Sequence, residues 1–151
     1  MTINSKSPYD TIRLGKNLGK LAKPGDVIVL VGELGSGKTT LTKGIAQGLG
    51  VKRTQYITSP SFVIAREYKG KIPLYHIDLY RLDKDAELDT TGFEEYLGSG
   101  GVCVIEWGKK VESILPQEHL TVHLNIKGEN KRQIKLSIGG RQYKRYENIG
   151  N

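Results

Sequence analysis

The sequence is short of the features on which several protein classes depend. Cys103 is the one cysteine among 151 residues, so no disulfide can form within the chain and a disulfide-stabilised secreted domain is excluded. The longest apolar run, Val27 to Val31, is five residues, whereas a membrane-spanning helix needs about 18–20. Residues 1–7 are mostly polar and contain no apolar signal-peptide segment. We therefore expect a cytoplasmic protein that makes no membrane contact.

What the chain does contain is enough for one folded domain. Hydrophobic residues make up 37% of it and charged residues 26%, a balance typical of a globular domain rather than a disordered chain. A chain of this length buries about 70% of the surface that its unfolded state exposes. No repeat, linker or low-complexity stretch interrupts it. We expect a single domain over residues 1–151, of which 139–151 form a tail.

The apolar residues predict alternating helices and strands. Ser7-Pro8-Tyr9-Asp10 is typical of a helix start, with an N-cap serine and a proline in the first turn, and the turn at 24–26 ends that helix. Val27 to Val31 predicts a strand buried on both faces, and a helix is expected from Lys38 to Leu49. Residues 102–105 predict a second buried strand.

Other regions predict antiparallel strand pairs, since apolar and polar residues alternate on either side of short turns. These pairs are 61–68 with 72–78, and 120–126 with 132–138. Further helices are expected at 83–97, with a break near Gly92, and at 109–115. The prediction is an α/β fold, a domain with a mixed parallel and antiparallel sheet flanked by helices.

The strongest motif is a phosphate-binding loop. Gly32-Glu33-Leu34-Gly35-Ser36-Gly37-Lys38-Thr39 matches G-x-x-x-x-G-K-[ST], the Walker A pattern, between the predicted strand and helix. Its glycines let the backbone curl until successive N–H groups point into one concavity, and the helix that begins near Lys38 adds its positive end. Lys38 is expected to reach the β- and γ-phosphates, and Thr39 to offer its hydroxyl to magnesium. The alternative is a glycine turn without a ligand.

Such a loop works with an acid that orders magnesium at the end of a neighbouring strand. Two acids are candidates, because Asp78 follows the strand at 74–77 and Glu106 follows the strand at 102–105. Magnesium takes one or two carboxylates together with phosphate oxygens and water. Both acids can therefore serve, one directly and one through water, although either can instead be a surface acid at a strand end.

Other nucleotide chemistries lack their motifs. A GTPase would need Asn-Lys-x-Asp, and the nearest string, Asn130-Lys131-Arg132-Gln133, lacks the acid. No segment resembles the arginine-bearing lid of a small-molecule kinase. Arg81 can stabilise transition-state charge or simply pair with Asp83. No residue stands out as a catalytic base.

Positive charge is concentrated near the C-terminus. Residues 127–146 hold seven lysines and arginines against Glu129 alone, which accounts for six of the formal net charge of +7. Two interpretations stay open. The segment can be a surface that meets RNA phosphates or an acidic protein, or an edge hairpin whose lysines prevent edge-to-edge pairing.

Four further observations belong together, because four motifs follow one another along the chain. They are residues 32–41, Thr58-Ser59-Pro60-Ser61-Phe62, His76-Ile77-Asp78-Leu79-Tyr80-Arg81-Leu82 and Ile105-Glu106-Trp107. In this order they resemble the proteins of the TsaE family. These are small bacterial P-loop ATPases in the pathway that makes threonylcarbamoyladenosine in tRNA. The resemblance extends from Ser7 to about Ile138 and implies a P-loop NTPase domain.

The resemblance also implies an activity, partners and site residues. The protein would bind ATP with Mg²⁺ and hydrolyse it slowly, and it would act with the threonylcarbamoyl-transferase subunit and that subunit's inactive paralogue, resetting their complex between modification cycles. The implied phosphate-binding positions are Glu33, Leu34, Gly35, Ser36, Gly37, Lys38 and Thr40. Thr39 and Glu106 would hold magnesium, and Asp78 matches the family's Walker-B-like acid. Thr58-Ser59-Pro60 matches a switch near the γ-phosphate, and Trp107 matches a tryptophan at the nucleotide site.

Other functions are kept open beside a slow ATPase. A nucleotide-gated assembly factor would need binding but not hydrolysis, a small-molecule kinase would transfer phosphate to a metabolite, and an RNA-binding module would use the basic hairpin. His76 is interpreted as a structural strand histidine, and Cys103 as an inert buried thiol.

Overall fold

A computed structural model describes residues 1–52, 57, 65–79, 93–106 and 112–150. Three α-helices, seven strands and a 3-10 helix lie in these ranges. In chain order they are β1 Thr2–Ser5, α1 Pro8–Leu21, β2 Val27–Val31, α2 Lys38–Gly48, β3 Ala65–Tyr68, β4 Leu74–Asp78, α3 Phe93–Leu97, β5 Val102–Glu106, β6 His119–Ile126, β7 Arg132–Gly139 and the 3-10 helix Arg141–Tyr146.

The described strands form one sheet in the order β1-β7-β6-β2-β5-β4-β3. The four central strands, β6, β2, β5 and β4, run parallel, and β1, β7 and β3 are antiparallel to their neighbours. β2 and β5 are buried almost throughout, which explains their continuous apolar sequences. The predicted α/β fold with a mixed sheet is confirmed. Since β2, β5 and β4 are parallel, their carboxyl ends share one edge of the sheet.

Helices α1 and α2 pack against each other through glycines. Gly15 and Gly19 of α1 face Gly44 and Gly48 of α2, and a Cβ on any of the four would collide with the main chain of the other helix. A spacing of four between small residues lets two helix backbones approach closely. Both helices contribute to the hydrophobic core on one face of the sheet. This contact fixes α2, whose first residue is Lys38, beside the end of β2.

The N-terminal end of the chain confirms one expectation and corrects another. The side chain of Ser7 accepts a hydrogen bond from the N–H of Asp10 at 3.2 Å, as the predicted helix start requires. Residues 2–5 form β1, which the polar sequence did not indicate, and Thr2 pairs with Lys135 of β7. The basic hairpin of β6 and β7 is therefore covered by β1, and the interpretation as an edge hairpin is wrong.

The segment 139–151, expected as a tail, is packed on the domain as far as residue 150. Tyr143 and Tyr146 are almost fully buried. The hydroxyl of Tyr143 accepts a hydrogen bond from the N–H of Val27 at 2.9 Å, and the hydroxyl of Tyr146 donates to the carboxylate of Asp26 at 2.8 Å. The segment thus supplies partners to buried polar groups at the start of β2, which explains why it does not extend into solvent.

Three expectations fall partly outside the described ranges. Of the strand at 61–68, residues 65–68 are described as β3, and of the helix at 83–97, residues 93–97 are described as α3. The described part of the expected helix at 109–115, residues 112–115, forms turns instead, so that helix does not reach Leu115. Within the described ranges, no helix is both long and apolar enough to cross a membrane.

Candidate functional site

The loop between β2 and α2 has the curled backbone that its glycines predict. Gly35 and Gly37 have φ angles of 78° and 101°, in the left-handed region that favours glycine. A Cβ on Gly32 would collide with the side chain of Ser36 and with the carbonyl oxygen of Leu124. Glycine is therefore required at all three positions, by conformation at two and by space at the third.

The predicted loop residues differ in exposure. The tip is open to solvent, and Leu34 is 79% exposed although it is apolar. The base is closed, because the side chains of Ser36 and Lys38 are buried. The exposed residues are Glu33, Leu34 and Gly35, and the half-buried ones are Gly37, Thr39 and Thr40.

Lys38 is the first residue of α2, and its ammonium lies inside the loop. Its Nζ donates hydrogen bonds to the carbonyl oxygens of Gly32 at 2.7 Å and Glu33 at 2.9 Å. Burial lowers the pKa of Lys38, and the negative charges of Glu106 and Asp78 oppose that change. The loop lysine and both candidate acids therefore interact electrostatically in one site.

Glu106 ends β5 and is only 3% exposed. Its Oε1 lies 2.8 Å from Nε2 of His76 and accepts a long hydrogen bond, 3.5 Å, from the hydroxyl of Thr39. An ionised carboxylate only accepts hydrogen bonds, so this pairing places a proton on Nε2 of His76. His76 is fully buried, and its Nδ1 has no hydrogen-bond partner among the described residues. The strand histidine thus fixes the orientation of the carboxylate that faces Thr39.

Asp78 ends β4 directly beside Glu106, since the two residues pair in the parallel register of β4 and β5. Thr39, Glu106 and Asp78 together offer a hydroxyl and carboxylate oxygens, the hard donors that Mg²⁺ prefers. No group of three or more His, Cys, Asp or Glu side chains suited to a metal occurs in the described part of the chain. The donor set fits an ion that takes few protein ligands and completes its shell with phosphate oxygens and water.

A cavity of about 550 Å³ opens beside the loop on the β6 side. Its walls include Gly32 and Glu33 of the loop, together with the end of β6 from His123 to Ile126 and the following Lys127. Pockets of this size hold small-molecule ligands. The loop is therefore bordered by space for a group larger than a phosphate.

Two predicted site residues, Thr58 and Trp107, lie outside the described residues, as does Arg81, so their places in the site stay predictions. Two contacts were missed by the sequence analysis. One is the pairing of His76 with Glu106, for which the parallel register of β4 and β5 was the missing signal. The other is made by Arg132, which donates to the loop from 96 residues away, a separation for which the sequence carries no signal.

Comparison with known proteins agrees with this geometry. The model of the family "Threonylcarbamoyl adenosine biosynthesis protein TsaE" matches residues 5–134. The chain is 41% identical to the tRNA threonylcarbamoyladenosine biosynthesis protein TsaE of Bacillus subtilis, over 96% of this chain and 94% of the relative. It is also 41% identical to the protein of the same name from Treponema pallidum, over 88% of this chain and 97% of the relative.

A solved structure has a similar fold over nearly the whole chain. The crystal structure of Bacillus subtilis YdiB superimposes with a TM-score of 0.84 at 36% sequence identity, covering 99% of this chain and 93% of the other. Family model, relatives and structure all extend over most of the chain. The resemblance noted in the sequence is thereby confirmed, and the chain belongs to the TsaE family.

Proposed function

We propose that this protein binds ATP with Mg²⁺ and hydrolyses it slowly in support of threonylcarbamoyladenosine modification of tRNA. One observation carries the proposal: the hydroxyl of Thr39, in the first turn of α2, lies 3.5 Å from the carboxylate of Glu106 at the end of β5, and the charge of Glu106 acts on Lys38. That arrangement combines a phosphate-binding loop with a magnesium-ordering acid, in a chain of the TsaE family.

In this proposal the loop and the start of α2 hold the polyphosphate. Main-chain N–H groups of the loop and of the first turn of α2 donate to phosphate oxygens, helped by the positive end of α2. Lys38 moves its ammonium from the carbonyls of Gly32 and Glu33 towards the β- and γ-phosphates. Its low exposure makes this charge effective, because little water screens it.

Thr39, Glu106 and Asp78 are the proposed magnesium ligands, one acid binding directly and the other through water. When bound, the ion neutralises charge on the β- and γ-phosphate oxygens. His76 holds the Glu106 carboxylate by the 2.8 Å contact, so that carboxylate needs little reordering. Thr58 and Trp107 are proposed to lie near the γ-phosphate and the nucleotide, on the family resemblance alone.

Turnover by the isolated chain is proposed to be slow. The acids placed beside Lys38 are assigned to magnesium, which leaves no described group as a dedicated base. The threonylcarbamoyl-transferase subunit and its inactive paralogue are the proposed partners that complete the site, and supplying an arginine alone is worth about 10³–10⁵ in rate. Contact with tRNA is proposed through the exposed lysines at the turn of the β6–β7 hairpin, Lys127 and Lys131. Action of the whole chain as one cytoplasmic domain belongs to the same proposal.

Phosphate release from Mg-ATP tests this function. The chain alone should release phosphate slowly, addition of both partner proteins should speed release, and Lys38→Ala should abolish it. Fast release by the chain alone, or phosphate recovered on a metabolite, would contradict the proposal. A variant that binds Mg-ATP without hydrolysing it, yet still supports tRNA modification, would identify a nucleotide-gated assembly factor instead.

A further inference from the structure

Arg132 directs its guanidinium at the phosphate-binding loop rather than into solvent. It is the first residue of β7 and is half-buried. Its Nε donates to the carbonyl oxygen of Ser36 at 2.9 Å, and its Nη2 donates to the carbonyl oxygen of Gly35 at 3.1 Å. The side chain therefore contacts the main chain of the loop at two successive residues.

The same guanidinium is fixed from its other side. Its Nη1 donates to the carbonyl oxygens of Gly128, Glu129 and Lys131, at 2.9, 3.2 and 2.9 Å. These residues form the turn between β6 and β7. Because the planar fork is held by this turn, the carbonyls of the loop meet a donor group whose position is already set.

Peptide geometry converts this contact into an orientation of the loop amides. In a trans peptide the C=O of one residue and the N–H of the next point in opposite directions. Holding the Ser36 carbonyl towards Arg132 therefore turns the N–H of Gly37 away from it, towards the inner side of the loop. The N–H in the same peptide unit as the Gly35 carbonyl belongs to Ser36. It donates a hydrogen bond to the carbonyl oxygen of Glu33 at 3.0 Å, which closes a turn.

The loop carbonyls are thus divided between two cations. Lys38 takes those of Gly32 and Glu33, and Arg132 takes those of Gly35 and Ser36. A carbonyl oxygen that turned into the concavity would repel a phosphate, whereas an N–H attracts it. Arg132, which holds the Gly35 and Ser36 carbonyls, therefore favours the loop orientation that binds anions.

We propose that Arg132 is a positioning residue for phosphate binding, whose guanidinium keeps the Gly35 and Ser36 carbonyl oxygens away from the polyphosphate and turns the Gly37 N–H towards it. This inference rests on the proposed binding of Mg-ATP. A lysine at this position would keep the positive charge but has no planar fork to bridge the two carbonyls and the turn.

Calorimetric titration with Mg-ATP tests this role in four proteins: wild type, Arg132→Ala, Arg132→Lys and Lys135→Ala. Lys135 lies on the same strand with an exposed side chain, so its variant controls for loss of one positive charge. Both Arg132 variants should raise the Kd about tenfold, which corresponds to about 1.4 kcal/mol. Lys135→Ala should stay within twofold of wild type. The thermal unfolding midpoint of each protein is measured without nucleotide.

The outcomes separate this proposal from the function on which it rests. A wild-type protein that binds no Mg-ATP would overturn the proposed function itself. Wild-type binding with an unchanged Kd in Arg132→Ala, even at a lowered unfolding temperature, would assign Arg132 a structural role and overturn the proposal. Recovery of wild-type affinity in Arg132→Lys would show that charge alone matters, which would also overturn the proposal. If Arg132→Ala does not unfold cooperatively, Arg132→Lys decides.

Discussion

Glu106 is the residue at which a strand end, a buried histidine and the first turn of a helix meet. Its position after a buried strand was readable from the sequence, as were the glycines, Lys38 and Thr39 of the loop, because each follows from a local pattern. The partner of its carboxylate could not be predicted, because His76 is brought beside it only by the register between two strands. Local motifs thus predict which residues form the site, and tertiary contacts decide how they are held.

The Glu106 carboxylate should matter through its charge. Glu106→Gln keeps the shape and an oxygen acceptor but removes the charge that magnesium needs. We expect Mg-ATP affinity to fall at least about tenfold, since hydrogen bonds and contacts with charged groups contribute about 1.5–3 kcal/mol each, while ATP affinity measured with EDTA stays unchanged. Glu67→Gln, on the exposed face of β3, is the control. Equal losses with and without magnesium would rule out a metal role for Glu106.

Among the helices and strands, the packing of α1 against α2 fixes the position of Lys38, at which the phosphate-binding loop ends. Helix α1 was predicted from its cap and apolar spacing, and α2 from its place between the glycine-rich loop and Gly50. Their contact was not predicted, although glycines four apart in each helix carried the signal. β1 was missed because four residues with one apolar side chain among them, Ile3, show no strand pattern. It forms because the open edge of β7 offers unpaired main-chain groups.

Gly44→Ala should destabilise the protein through this contact. A methyl group there would meet the main chain of α1 at Ile12 and Gly15, and backbone cannot move aside as a side-chain tip can. We expect a loss of about 1–3 kcal/mol in the free energy of unfolding, or more, measured by urea denaturation. Gly98→Ala is the matched control, since a Cβ at Gly98 meets nothing within 4 Å. Equal free energies of unfolding in the two variants would show that the helices can move apart without loss of stability.

Over the whole molecule, the sheet brings segments that are far apart in sequence to one edge, and the C-terminal segment closes the opposite end of β2. The mixed α/β fold could be predicted because strand and helix patterns are local. The packing of residues 140–150 could not be predicted. The hydroxyls of Tyr143 and Tyr146 form hydrogen bonds with Val27 and Asp26, which lie more than a hundred residues away in the sequence. The sequence does not indicate which buried polar groups will pair, because the partners come together only when the chain folds.

Tyr146→Phe tests this closure. The variant removes the hydroxyl that donates to the buried Asp26 carboxylate and leaves the ring in place. We expect the free energy of unfolding to fall by about 1.5–3 kcal/mol, the usual range for a hydrogen bond to a charged group. Tyr9→Phe, at a position that is 71% exposed, should change it by less than about 0.5 kcal/mol. A loss no larger than that of Tyr9→Phe would mean that the C-terminal segment adds little to the fold.

The central claim is that residues 32–39 bind the phosphates of a nucleotide, and its most direct test is calorimetric titration of the full chain with Mg-ATP. Lys38→Ala removes the ammonium inside the loop, whereas Lys43→Ala removes an exposed one from the same helix. The account predicts saturable binding by wild type and Lys43→Ala, and affinity at least about tenfold weaker in Lys38→Ala. Absence of binding by wild type, or equal affinity in Lys38→Ala, would contradict it.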